Sequence, residues 1–186
     1  MKNLNLKSIL LLAMVTTFSV LTYGQHDHST MKMKSTKGSM MKGNMMQQKG
    51  EMAKFNDENL NKAYMYYMLV NNALTNANTP KVKMMSKMLI DILNSYGKAS
   101  DVAKVATKLA EASDVKEQRI VFAELTVAME PTFKNNIVKG AVYKNFCPMA
   151  NGKGAYWFSK TNTILNPYLG NAMPKCGSLK ETITSM

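Results

Sequence analysis

The sequence predicts a mainly α protein: an up-down four-helix bundle followed by a small irregular or β-hairpin C-terminal segment that carries the cysteines. Three observations lead there. Between Phe55 and Phe133, apolar residues recur at steps of three and four in four stretches, each with start or stop signals. The connections between those stretches are short, as in antiparallel helix pairs. After Gly140 the helical period stops, and proline, glycine and Asn-Gly turn signals separate two short extended runs.

The first residues are read as a delivery signal. Lys2 and Lys7 precede the apolar run Ile9 to Val15, and small or polar residues continue to Gly24. This is the layout of a secretory signal peptide, with cleavage expected near Gly24. The apolar run is too short to span a bilayer core of about 30 Å. The expected compartment is extracytoplasmic, where disulfides persist. The formal charge of +12 falls to +10 once the leader and its two lysines are gone. Nearly all the positive charge is lysine, and Arg119 is the single arginine. Nucleic-acid readers rely on arginine forks and aromatic platforms, so no nucleic-acid partner is expected. Weak contact with anionic membrane surfaces fits the charge.

Gln25 to Met52 is low in complexity, with no aromatic or branched aliphatic residue, and the tail is taken to run to Lys54. Such a composition buries too little surface to offset chain entropy, which predicts disorder. It nevertheless holds His26, His28, Met31, Met33, Met40, Met41, Met45, Met46 and Met52, with seven of the 18 methionines in the sequence. Thioethers and imidazoles are ligands for copper, so this segment is a candidate secondary metal site; the plainer reading is a lysine-rich linker.

The folded domain is expected from Phe55 to Met186. Its first helix follows Asn56, with Phe55 and Leu60 placed as a staple and a stripe of Leu60, Ala63, Tyr67, Val70, Leu74 and Ala77. Thr79-Pro80 opens the second, whose stripe is Val82, Met85, Leu89, Ile92 and Tyr96, and Gly97 ends it. Ser100 is expected to cap a third, shorter helix with Val102, Val105, Ala106 and Leu109. Asp114 and Glu117 begin a fourth with Val115, Phe122, Leu125, Met129 and Phe133, which Pro131 should kink or restart. Methionines at helical spacing are read as core filling, with Met84, Met85 and Met88 a possible exception. Tyr64, Tyr66 and Tyr67 are read as packing with their hydroxyls at the rim.

Ala141 to Cys147 and Gly154 to Ser159 read as hairpin strands, and Ser178 to Met186 as a polar end. Each cysteine has a methionine within three residues: Cys147 with Met149, and Met173 with Cys176. An extended backbone would put Cys147 and Met149 on one face. Thiolates and thioethers together select Cu(I) or Ag(I) over zinc, so Cys147, Met149, Met173 and Cys176 form the candidate metal site. Lys175 is expected to lower the thiol pKa, and Trp157 to shield the site. The competing reading is a Cys147–Cys176 disulfide without metal, which would pin a weakly cored end piece and stabilise it by about 3–4 kcal/mol. A switch between the two stays open.

No histidine follows His28, and there is no phosphate-binding glycine loop or Gly-x-Ser-x-Gly. A cysteine nucleophile would lack its usual base, and no enzymatic activity is expected.

Cys147-Pro148-Met149-Ala150-Asn151, Lys153-Gly154-Ala155-Tyr156-Trp157, Asn166-Pro167-Tyr168-x-Gly170 and Met173-x-x-Cys176-Gly177 occur in this order and close spacing. Together with Glu117-Gln118-Arg119 they resemble a bacterial periplasmic domain of unknown function. That domain is found alone or at the C-terminus of copper/silver-efflux periplasmic adaptor proteins. The resemblance spans about Phe55 to Ile183, and the spacer after Met149 is shorter than the pattern's. It implies copper or silver handling, with a copper-efflux adaptor or another periplasmic copper protein as partner. The leading expectation is a periplasmic Cu(I)/Ag(I)-binding protein in copper handling, efflux delivery or resistance. The alternatives are a disulfide-stapled interaction module of the envelope and, more distantly, a thiol redox protein.

Overall fold

The computed structural model describes residues 51–185. The expected leader and the residues 25–50 of the Met/His segment lie outside the described residues. Among the described residues, four helices are followed by a strand-rich C-terminal region: α1 (Glu58–Thr75), α2 (Thr79–Tyr96), α3 (Ser100–Glu111) and α4 (Val115–Lys134). Five strands complete the fold: β1 (Lys54–Phe55), β2 (Ile137–Lys139), β3 (Ala141–Cys147), β4 (Ala155–Ser159) and β5 (Ser178–Thr184). Among the described residues, no helix is long and apolar enough to cross a membrane.

The helix limits follow from local chemistry. Asp57, rather than Asn56, caps α1, its carboxylate accepting from the backbone N–H groups of Asn59 and Leu60. Asn78 caps α2, and Gly97 closes it in the left-handed conformation with φ 73°. Asp114 caps α4 through the N–H of Glu117, while the Glu117 carboxylate reaches back to the N–H and hydroxyl of Ser113. Pro131 neither stops nor restarts α4, which runs three residues past it. The carbonyl that Pro131 leaves without a donor belongs to Val127, which is 62% exposed, so water can satisfy it. The predicted stripes are buried except for Ile92, Tyr96, Val105 and Val115, which are half-buried, and Ala77, which sits exposed in the turn at φ 50°. Ser100 is the first residue of α3 and not its cap, which is Ala99 without a side-chain hydrogen bond. Met68, Met85 and Met129 are core residues, whereas Met84 and Met88 are surface residues.

Residues before Phe55 belong to the packed body: Ala53 is buried, and β1 pairs antiparallel with β2. The main sheet has the order β4-β3-β5, all antiparallel, so β3 is central. The expected hairpin is present, with Cys147 opposite Ala155 and Asn145 opposite Trp157. The segment read as a polar end is in fact β5, which places Ser178 opposite Phe146 and Thr184 opposite Ala141. Its apolar content is slight: of Leu179 and Ile183, only Ile183 is buried.

Sheet and helices share one core. Ring contacts run from Phe55 through Tyr64 and Phe133 to Tyr67, Phe122 and Phe158, and on through Tyr168 to Trp157, with centroids 5.0–6.1 Å apart. Trp157 and Phe158 are fully buried and Tyr168 nearly so. The C-terminal region is therefore well cored, contrary to expectation, and needs no covalent staple to stay in place.

The hydroxyls of Tyr64 and Tyr67 are buried and not at a rim, whereas Tyr66 is half-buried. The free edge of β4 is met by α1 side chains one turn apart. Tyr67 Oη accepts from the N–H of Phe158 at 3.1 Å, and Asn71 Nδ2 donates to the Phe158 carbonyl at 2.9 Å. Thr126 donates to Phe122 O, so its hydroxyl oxygen accepts from Tyr67 at 2.7 Å. Burial pushes the Tyr67 phenol well above its ordinary pKa. These bonds satisfy an edge that would otherwise be an unpaired strand buried against a helix. Glu130 on α4 receives Lys134 at 2.8 Å and Lys144 of β3 at 2.6 Å, and Lys134 also reaches Glu181 of β5 at 3.0 Å. Asn71→Ala is expected to destabilise the protein by about 1–3 kcal/mol, because the Phe158 carbonyl would lose its buried donor; an unchanged urea midpoint would refute this role.

Candidate functional site

The β3–β5 register decides which sulfurs meet. With Phe146 opposite Ser178, the end of β3 lies beside the residues just before β5. Cys147 and Cys176 are thereby brought side by side, and their Sγ atoms are 3.0 Å apart as unbonded thiols. Cys147 is fully buried and shares the core face of the sheet with Asn145, Ala155 and Trp157. Cys176 is partly exposed.

The backbone of Cys176 is held by Asn166, a fully buried residue. Its Nδ2 donates to the Cys176 carbonyl at 2.7 Å, while its Oδ1 accepts from the N–H groups of Tyr168 and Leu169 at 2.8 and 3.0 Å. The Asn166 N–H donates to Pro174 O at 2.9 Å, and the Cys176 N–H to Met173 O at 3.2 Å. One asparagine thus ties the loop before the second cysteine to itself at four points. Tyr168 donates its hydroxyl to the Tyr156 carbonyl and stands edge-on to Trp157.

Two glycines let this loop close. Gly177, at φ 131°, passes directly over the Trp157 ring. A Cβ there would stand 2.7 Å from the ring and 2.9 Å from the Phe146 carbonyl. Gly154, at φ 83°, lies against Phe146, whose ring a Cβ would meet at 2.5 Å. Arg119 pins the Asn166-Pro167 turn to the helices, donating from Nε to Pro167 O at 2.8 Å and from a terminal nitrogen to Leu74 O at 3.2 Å. Gln118 is buried and donates to Thr79 O. The roles of Asn166, Arg119 and Gly177 in setting the thiol pair are not readable from spacing. Their one signal is their presence in the short motifs of the resemblance, Asn166 and Gly177 near the cysteines and Arg119 in Glu117-Gln118-Arg119 of the fourth helix.

The two methionines stand differently. The chain turns at Pro148, and Met149 is helical at φ −89°, ψ −10° rather than extended. Cys147 and Met149 consequently do not share a face: the thiol is buried and the thioether is 57% exposed. Met173 is 42% exposed at the end of a short 3₁₀ turn, Gly170–Ala172. Each methionine is a surface neighbour of its cysteine in the chain. Trp157 lies under Gly177, the residue after Cys176. His26, His28, Met31, Met33, Met40, Met41, Met45 and Met46 lie outside the described residues.

Lys175 does not lower the thiol pKa as expected. The hydrogen bond with Cys147 raises the Cys176 pKa above the ordinary thiol value, and burial and the charge of a Cys147 thiolate add to the rise. The contact between the two thiols outweighs an exposed lysine. Among the described residues, no group of three or more His, Cys, Asp or Glu side chains is gathered to hold a metal ion. A closed tetrahedral zinc site of the usual donors therefore has no basis there, whereas two thiols are a donor set for an ion of low coordination number.

No family profile, curated protein or solved structure matches the chain.

The raised Cys176 pKa has a direct readout. Its alkylation by iodoacetamide should reach half-maximal rate above about pH 8.5, the ordinary thiol value. A midpoint at or below that value, measured by mass spectrometry of the labelled peptide, would show that Lys175 prevails after all. Asn166→Ala should loosen the Cys176 loop, raising its alkylation rate at a fixed pH several-fold and costing about 1–3 kcal/mol of stability.

Proposed function

We propose that the protein is a periplasmic soft-metal-binding protein that holds Cu(I) or Ag(I) at the Cys147–Cys176 thiol pair and acts in copper handling, efflux delivery or resistance. The observation that carries this reading is the pair itself. Two sulfurs from segments 29 residues apart are set at 3.0 Å on backbones that are fixed independently, one by the β3 ladders and one by Asn166. Soft thiolates suit a d¹⁰ monovalent ion. Two sulfurs about a metal at roughly 2.3 Å stand about 3.8 Å apart at a tetrahedral angle, so the pair need open by less than about 1 Å. Met149 and Met173 would supply thioethers from the surface, where an ion enters and leaves, and Trp157 would keep water from the buried side. The Met/His segment with His26 and His28 would gather copper before it reaches the pair. A copper-efflux adaptor or another periplasmic copper protein would receive it. Contact with anionic membrane surfaces would be weak, and no nucleic acid is involved. The up-down order of the helices belongs to the same reading. It is supported by the short connections and by the packing of α1 on α2, α2 on α3 and α3 on α4.

The second reading keeps the pair as a disulfide in an interaction module without metal. It is favoured by a groove of about 650 Å³ between α4 and the turn after β3, where Ile120, Val127 and Tyr156 are exposed. Such a groove suits the apolar side chains of an envelope protein. The thiol redox reading, in which the accessible sulfur attacks the disulfide of a substrate, is the weakest, because that attack needs a ready thiolate and the Cys176 pKa is raised. No catalysis is proposed.

Silver titration of the reduced full chain, competed with a thiol-free chelator, tests the metal reading. One ion per chain should depend on both cysteines, with Cys147→Ser and Cys176→Ser each weakening that ion at least tenfold and Met149→Ala weakening it less. Affinity unchanged in the double cysteine variant would assign all binding to methionine and histidine and end the reading. Two inaccessible thiols, already bonded in protein taken from the periplasm, would favour the interaction module.

A further inference from the structure

We propose that the reduced Cys147–Cys176 pair reduces Cu(II) to Cu(I), delivering one electron to each of two cupric ions and closing as an intrachain disulfide. The inference rests on the soft-metal reading only in taking copper as the ion. In the balanced step, both S–H bonds break and one S–S bond forms. Two protons leave to solvent, and two Cu(II) ions each gain one electron to become Cu(I). The cupric ion is the oxidant, so no further reagent is required. Each reduced chain acts once, as a stoichiometric reductant.

Three features of the site carry this. The Sγ atoms at 3.0 Å need approach by only about 1 Å to reach bonding distance. Both backbones are already fixed. Cys147 lies in the ladder opposite Ala155, and Cys176 is held by the Asn166 amide and by its own N–H to Met173 O. Side-chain rotation alone must bring the sulfurs together, which removes most of the entropic cost of pairing them. The third feature is unequal access. Cys176 is partly exposed and can meet an ion at the surface, while fully buried Cys147 stands behind it and can meet only Cys176. That order suits a first electron leaving through the outer sulfur and the inner thiol completing the bond. A pair built only to staple the chain has no need of an open outer sulfur, and the aromatic core already holds this region.

The product has a reason to stay. Cu(I) is soft, and the exposed thioethers of Met149 and Met173, each beside one of the cysteines in the chain, keep their ligand character after the thiols have been consumed. The pair would thus convert the ion into the form that thioethers hold.

Cupric ion added to the reduced full chain without oxygen, in the presence of a colorimetric Cu(I) chelator, tests the proposal. Two Cu(I) per chain should appear, together with loss of both thiols and of two hydrogens in the intact mass, with the chain still monomeric. At micromolar protein, Cys147→Ser and Cys176→Ser should yield Cu(I) at least about a hundredfold more slowly, since a second chain must then supply the partner sulfur. Both thiols surviving in the native chain would overturn the proposal, and so would a single-cysteine variant as fast as native. The near-ultraviolet signal of buried Trp157 reports whether each variant keeps its fold. The native stoichiometry is decisive without any variant. Silver, which is not reduced here, separates the outcomes: silver bound with thiols that survive cupric ion leaves the metal reading standing and removes this one.

Discussion

Strand β3 is the member on which the rest of the C-terminal region depends. It pairs on both sides, with β4 along one edge and β5 along the other. Its ladder to β5 fixes the register that places Gly177 beside Phe146 and so Cys176 beside Cys147. A slip of one residue would turn every side chain of β3 over, taking Asn145 and Cys147 off the face they share with Trp157 and Ala155. Two devices oppose such a slip. The ladder shifts register between Lys144 and Asn145, and the Glu130 carboxylate on α4 grips Lys144 at 2.6 Å. The value of that ion pair lies more in position than in energy, since it tells the sheet which face belongs to α4.

The helices contribute an edge and a floor. Without Tyr67 and Asn71, strand β4 would end the sheet with backbone groups buried and unpaired. The floor is the ring chain from Phe55 to Trp157, which makes one hydrophobic body of segments more than a hundred residues apart. Thiol geometry at the far end of the sheet is therefore coupled to helix packing through rigid contacts, and Arg119, bonded to both Leu74 O and Pro167 O, adds a polar tie between the two.

Much of this was legible in the residues because it is local. Periodicity and caps at Asp114, Gly97 and the Asn78-Thr79-Pro80 step mark the helices to within a residue or two, and the Asn151-Gly152 turn marks the hairpin. What was not legible is non-local. Strand β5 carries one buried apolar residue, so its identity comes from the partner strand rather than from its own pattern. The hydroxyl of Tyr67 looks like a rim group until β4 arrives to need it. Pro131 reads as a break because the exposure of Val127, one turn before it, is not visible in a string of letters. The candidate site divides the same way. That the cysteines matter together is suggested by their methionines and turns, but whether Met149 shares the face of Cys147 depends on one backbone angle after Pro148.

The separation of 3.0 Å also reframes the choice between a bond and a metal site. A disulfide brings two sulfurs to about 2.05 Å and a shared ion holds them at roughly 3.8 Å. The pair stands between, on backbones that need not move for either. Bond and ion are then not rival designs but states of one dithiol that differ by two electrons and two protons. A scaffold meant only for the bond gains nothing from leaving Cys176 open to solvent. A scaffold meant only for the ion gains nothing from bringing the thiols closer than an ion requires. An outer thiol in reach of an oxidising ion, with an inner thiol already in contact behind it, is the arrangement in which both features have a use.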